Sequence, residues 1–106
     1  MIWLLDRYAV KPGRLRELQS AFEARCLPSA QRRGLTLVGR WITPPVELEQ
    51  GGNELIALWS LPDREAFWKM RIGAGTDPEV QAWWREADTL VLRRERQFLG
   101  APEDAR

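Results

Sequence analysis

Apolar residues recur along this chain with two different periods, and the switches between them mark out its elements. Residues 2 to 9, Ile-Trp-Leu-Leu-Asp-Arg-Tyr-Ala, are rich in strand formers and halt at Lys11-Pro12-Gly13, which predicts strand one and then a helix opened by Pro12. Leu15, Leu18, Phe22 and Cys26 follow at spacings of three and four with charged residues on the other faces, so an amphipathic helix is predicted to about Arg33. Pro28 predicts a kink or rewinding within it and Gly34 its C-terminal stop. Leu35 to Thr43 reads as strand two, Val46 to Gly52 as a hairpin loop and Asn53 to Leu61 as strand three. Pro62 and Asp63 start a second helix bearing Phe67, Trp68 and Met70. A break is predicted at Gly73-Ala74-Gly75, and Asp77-Pro78 marks a restart that runs through Val80, Trp83, Trp84 and Ala87. Thr89 to Leu99 is the last strand, so residues 1–100 form one domain and residues 101–106 a loose polar tail.

The order βαββαβ is the ferredoxin-like pattern of the α+β class: a four-stranded antiparallel sheet, both helices on one face, and strand one between strands three and four. An antiparallel sheet covered on one face reads polar on the other, but these strands do not. Strand one offers Ile2, Leu4 and Tyr8 on one side and Trp3, Leu5 and Ala9 on the other; strand three sets Leu55, Trp59 and Leu61 against Ile56 and Leu58. A chain this short has no third layer to cover the second face. A second copy is the economical cover, and two sheets facing each other make a dimeric α+β barrel.

Composition narrows the chemistry. The 106 residues allow one core, and sixteen basic against fifteen acidic side chains leave a formal charge of +1, which argues against a nucleic-acid partner held by bulk charge. With no histidine and one cysteine, the chain excludes an internal disulfide, a histidine-based triad, histidine-ligated haem and a Cys/His zinc site. Carboxylate spacing offers no metal site either. No metal and no cofactor are therefore expected. The apolar run Met1 to Leu5 is broken at once by Asp6 and Arg7, far short of a signal peptide or a span, so a cytoplasmic protein with no membrane partner is expected.

Several short motifs occur in order across nearly the whole chain. They are the strand ending in Tyr8 before Lys11-Pro12-Gly13, the helix with Leu27-Pro28, Gly34 to Trp41 reading Gly-Leu-Thr-Leu-Val-Gly-Arg-Trp, and Asn53 to Trp59 leading into Arg64-Glu65. Asp77-Pro78-Glu79 and the closing Arg94-Glu95-Arg96 complete the set. In these the sequence resembles the NIPSNAP family of the dimeric α+β barrel superfamily. The resemblance implies the fold and dimerisation more firmly than an activity; superfamily relatives include cofactor-independent monooxygenases, haem-degrading enzymes, isomerases and dehydratases. Such proteins often carry a histidine where Ala57 stands here and an arginine where Asp6 stands, so the haem branch is disfavoured.

Candidate site residues follow from the strand periods. Asp6 and Tyr8 share a face of strand one, and the antiparallel neighbour brings Asn53 toward the Tyr8 end. Together they offer a carboxylate as general base, a phenol as donor and an amide for an oxyanion; the structural alternative is an ion pair for Asp6 and backbone partners for the other two. Trp41 and Trp59 offer flat surfaces for a ligand, the alternative being core and interface packing. Arg94, on the same strand face as Arg96, offers a clamp for a ligand carboxylate, the alternative being interface ion pairs. Gly73-Ala74-Gly75 lacks the lysine and preceding strand of a phosphate loop, and Cys26 on the apolar stripe reads as core. The expected function is a homodimer binding a small, partly aromatic molecule in the sheet–helix cleft, with cofactor-independent chemistry of the monooxygenase or isomerase/cyclase type. A non-enzymatic dimeric scaffold or protein-interaction module is the alternative, and a cavity of roughly 300 Å³ or more separates the two.

Overall fold

A computed structural model describes residues 1–104 of the chain. It contains strands β1 (Ile2–Val10), β2 (Thr36–Thr43), β3 (Glu54–Leu61) and β4 (Val91–Gly100), with helices α1 (Leu15–Ala21), α2 (Leu27–Arg32), α3 (Arg64–Thr76) and α4 (Pro78–Leu90). The strands form one antiparallel sheet in the order β2-β3-β1-β4, the order expected of a ferredoxin-like α+β fold. In β3 the residues Leu55, Ala57, Trp59 and Leu61 are buried while Glu54, Ile56, Leu58 and Ser60 are not. One face is thus covered by the helices and the other lies open.

Three local features depart from the sequence reading, and the rewinding expected at Pro28 is present just ahead of it, each for a physical reason. The first helix begins at Leu15 rather than Pro12: Gly13 takes a positive φ of 74° after Pro12, closing a turn in which Arg14 N donates to Lys11 O at 3.1 Å. Between α1 and α2, Phe22–Cys26 forms a π-helical turn, closed by Leu27 N donating to Phe22 O. Pro28 lacks an N–H and its ring crowds the carbonyl four residues back, so the winding widens ahead of it. Helix α3 continues through Gly73-Ala74-Gly75 and stops only at Asp77, and α4 runs to Leu90, so β4 starts two residues later than expected.

Helix ends follow ordinary capping chemistry. Asp63 accepts a hydrogen bond from Ala66 N at 2.8 Å at the head of α3, and Asp77 accepts one from Glu79 N at 2.9 Å at the head of α4. Beyond β4, Pro102–Asp104 makes a 3-10 turn whose Asp104 carbonyl accepts from Arg64 Nη2; residues 105 and 106 of the expected loose tail lie outside the described residues. Among the described residues no helix is long and apolar enough to cross a membrane.

Candidate functional site between sheet and helices

The helix-covered face of β1 and β4 carries, in register, Ile2 opposite Gly100, Leu4 opposite Phe98, Asp6 opposite Arg96 and Tyr8 opposite Arg94. Four polar side chains, Asp6, Tyr8, Arg94 and Arg96, therefore sit among apolar ones, and Asp6 (1% exposed) is the most deeply buried acid among the described residues. Arg96 donates to it from Nε at 2.8 Å and Nη2 at 3.1 Å, while Trp59, across β3, donates from Nε1 at 3.1 Å. Both carboxylate oxygens are engaged by donors within the same chain. Burial opposes the charge on Arg96, yet Asp6 wins and holds the guanidinium pKa above its ordinary value. Asp6 in this state is a positioning group for Arg96 and Trp59 rather than a free general base.

Tyr8 lies against Trp83 (ring centroids 5.9 Å apart, edge to face) and Trp84 (6.5 Å). Burial first, and the Asp6 charge second, raise its pKa well above that of a free phenol, so it is a neutral hydroxyl. The Trp83 indole lies close enough to favour the phenolate slightly, but neither Tyr8 Oη nor Trp83 Nε1 has a partner in hydrogen-bonding geometry. Adjacent Trp83 and Trp84 divide as the sequence requires: Trp83 is buried and Trp84 half-buried, its ring beneath the guanidinium of Arg94 at 4.0 Å and that of Arg96 at 5.0 Å. Arg94 is held in that stack by Asp88, which accepts from Nε at 2.8 Å and Nη2 at 3.3 Å.

A small recess of about 10 Å³ is lined among others by Cys26, Arg33, Trp59, Trp83, Trp84 and Arg96, with room for about one water. The π turn points Phe22 and Cys26 into this region, and burial pushes the Cys26 thiol up to about 12. Cys26 is therefore a protonated, inert core thiol, as read from the sequence. At the end of the sheet, between β1, β4 and the head of α3, an open cleft of about 680 Å³ is lined by Ile2, Phe67 and Phe98 on the helix-covered side, by Leu99 from the other face, and by Asp63, Glu103 and Asp104 at its rim. Phe67 and Phe98 meet edge to face at 5.0 Å, and Arg71 lies over both rings. Sequence reading did not single out this cleft, because its walls come from both ends of the chain.

Of the six site residues expected from the sequence, Asp6, Tyr8, Trp59 and Arg94 come together on the helix-covered face. Two do not join them. Asn53 closes the β2–β3 loop: its Oδ1 accepts from Leu48 N at 2.7 Å and its Nδ2 donates to Val46 O at 2.9 Å, so its amide is a loop staple. Trp41 stands on the open face, 52% exposed, because a bulge between Leu37 and Gly39 shifts the alternation of β2 by one residue. The ring folds back over Gly39, where any Cβ would meet it at 2.7 Å, and Arg40 takes the covered side, over the Phe22 ring at 5.5 Å. The sequence set Arg94 and Arg96 against Asp6 as ion pairs across an interface between copies; here Arg96 pairs with Asp6 within one chain, because β4 lies beside β1 in register. Among the described residues no group of three or more His, Cys, Asp or Glu is placed to hold a metal ion.

The NIPSNAP family model matches residues 4–104 of the chain. Among solved structures, the chain is similar to an uncharacterized NIPSNAP domain protein from Burkholderia xenovorans, with TM-score 0.75 and 19% identity over 95% of this chain and 94% of that one. It is also similar to a NIPSNAP family protein from Agrobacterium tumefaciens, with TM-score 0.72 and 18% identity over 96% and 86% of the two chains. More distantly, an antibiotic biosynthesis monooxygenase shares the fold, with TM-score 0.63 and 12% identity over 95% and 98%. No curated protein matches the chain in sequence.

Proposed function

The chain belongs to the NIPSNAP family, and from that premise we propose that it works as a homodimer in which each subunit takes a small, partly aromatic molecule into the cleft between sheet and helices. The observation that carries the binding reading is the aromatic-walled cleft of about 680 Å³ at Phe67 and Phe98, more than twice the volume a ligand site requires. Arg96, two residues before Phe98 on the same strand face, lies about 7 Å along β4, so a bound ring at Phe98 is within reach of the polar positions.

The open face supports the dimer. Trp41, Val38 and Leu99 are strongly exposed there, beside half-buried Trp3, Leu5, Ile56 and Leu58. At one end the face is charged, with Arg7 and Arg93 both on Glu54 at 3.5 and 3.9 Å. A second copy covers the apolar part and leaves the charged end to fix its register.

The chemistry this arrangement supports is binding and orientation of a guest that reacts by itself, by proton transfer or with oxygen, rather than nucleophilic attack. Tyr8 supplies a neutral O–H and Arg96 a fixed cation, while Cys26 holds its proton too tightly to attack. The test is a calorimetric titration of the full chain with 2-naphthol. Saturable binding at one site per subunit, lost in Phe98→Ala, supports the reading; no saturable binding to the wild type favours the scaffold.

A further inference from the structure

On the open face, strand register places the charged residues at one corner and an exposed ring at the other edge. The row of Trp41 on β2 runs through Ile56 on β3 and Arg7 on β1 to Glu95 on β4, and the next row runs through Thr43, Glu54 and Ala9 to Arg93. Arg7, Glu54, Arg93 and Glu95 therefore stand around the small Ala9, and these five residues line a recess of about 260 Å³. Arg7 and Arg93 both reach Glu54, at 3.5 and 3.9 Å, while the Glu95 carboxylate has no side-chain partner among the described residues. Across the face, the strongly exposed Trp41 lies over Gly39 with its outer side bare, and its indole N–H donates to no group among the described residues. Three strand spacings, roughly 14 Å, separate β2 from β4, so this donor and this acceptor do not meet within one chain. Water serves both while the face is open; a covering copy removes that water, and each then needs a partner.

Symmetry chooses between two ways of laying one sheet on the other. A two-fold axis across the strands sets β2 on β2 and brings Arg7 and Arg93 down on Leu5 and Leu99, which buries charge against apolar groups. An axis along the strands, between β3 and β1, instead packs Ile56, Leu58 and Leu5 on their counterparts near the axis. It also sets β2 of each copy above β4 and β1 of the other, at the same height along the strands.

Resting on the homodimer proposed above, we propose that the recess over Ala9 is the seat of the partner's Trp41, each copy giving one ring and receiving one. Gly39 lets the ring lie low on β2, since any Cβ there would meet it at 2.7 Å, and the recess walls of the other copy close over its outer side. Arg7 and Arg93 stack on the indole face, Glu95 accepts from the indole N–H, and Ala9 leaves the floor clear.

The test is a double-mutant cycle on the full chain, with the dimer dissociation constant measured by sedimentation for wild type, Trp41→Ala, Ala9→Leu and the two together. Within one chain these residues lie two strands apart, roughly 10 Å, so any coupling between them reports contact between copies. Each single change is expected to weaken the dimer about thirtyfold or more, the loss typical of a buried aromatic anchor. The pair is expected to cost little more than either alone, because filling the recess matters only to a ring that enters it. Should Ala9→Leu fail to fold, Glu95→Ala on the exposed edge strand takes its place, with a loss of about tenfold expected only where Trp41 is present. Effects that multiply, or a dimer indifferent to Trp41, overturn the seat and leave the homodimer standing. A wild type that is monomeric at micromolar concentration overturns the homodimer and the seat with it.

Discussion

Replacing Asp6 by asparagine probes a buried ion pair that ties three strands together. Asp6 is 1% exposed and accepts three hydrogen bonds, two from Arg96 on β4 and one from Trp59 on β3. Asparagine keeps one acceptor oxygen but turns an N–H toward a donor, and it removes the charge that compensates Arg96. Breaking a buried pair from one side costs about 3–5 kcal/mol. The Arg96 side chain is 28% exposed and relaxes partly into solvent, so the lower end, about 3 kcal/mol, is expected. In urea at fixed protein concentration this appears as a lower midpoint with an unchanged slope. Tyr8→Phe is the internal control: its hydroxyl has no partner to lose, so a change within about 0.5 kcal/mol is expected. The double variant Asp6→Leu, Arg96→Met removes both charges and is expected to be more stable than Asp6→Asn. A loss below about 1 kcal/mol in Asp6→Asn, or a Tyr8→Phe loss as large as that of Asp6→Asn, refutes the assignment of Asp6 as the structural anchor and Tyr8 as the unsatisfied donor.

Three other outcomes follow from the same geometry. Leu58→Glu, at the middle of the open apolar face, is expected to shift the sedimentation mass from about twice the 12.3 kDa chain mass to that of a single chain; a wild type already monomeric at micromolar concentration contradicts the dimer. Cys26, buried with a pKa pushed up to about 12, is expected to resist thiol reagents at pH 8 and to react fully in denaturant, whereas fast labelling of the native protein would place it at the surface. The Glu79 backbone N–H lowers the pKa of Asp77 first, and Arg94 lowers that of Asp88, so both are depressed on folding. Their stabilisation is present above the unfolded value of about 3.9 and is lost as pH falls through the folded values below it, so thermal midpoints drop below about pH 4; a midpoint that rises on acidification contradicts this.

The strand order and the two-faced character of the sheet were legible because they rest on alternation and on turn residues, both local properties. Pairing β1 with β3 and β4 placed Asp6 and Tyr8 on one face without any knowledge of tertiary contacts. What escaped depended on single-residue shifts in winding or register. One extra residue in β2 sends Trp41 away from Trp59, and nothing in Val38-Gly39 announces it beforehand except the glycine over which the ring folds. The glycines at 73 and 75 did not break α3, because the ladder runs through them, Asp77 N still donating to Gly73 O at 3.0 Å; the helix ends where Asp77, the residue before Pro78, turns extended. Asn53 reached the predicted end of β3, but its amide satisfies loop backbone groups that the sequence does not place in space. That Arg96 meets Asp6 within the chain, rather than across an interface as alternation alone allowed, became visible only once the β1–β4 register was fixed.

The central claim, that a small aromatic guest enters between sheet and helices, is tested most directly by mapping where 2-naphthol binds on isotopically labelled protein by nuclear magnetic resonance. The account predicts one saturable set of shifts in Ile2, Phe67 and Phe98 and in the Trp84 indole N–H, with the Trp41 indole on the opposite face unmoved. Shifts confined to Trp41 and Trp3 on the open face, or no saturable shifts at all, would contradict it.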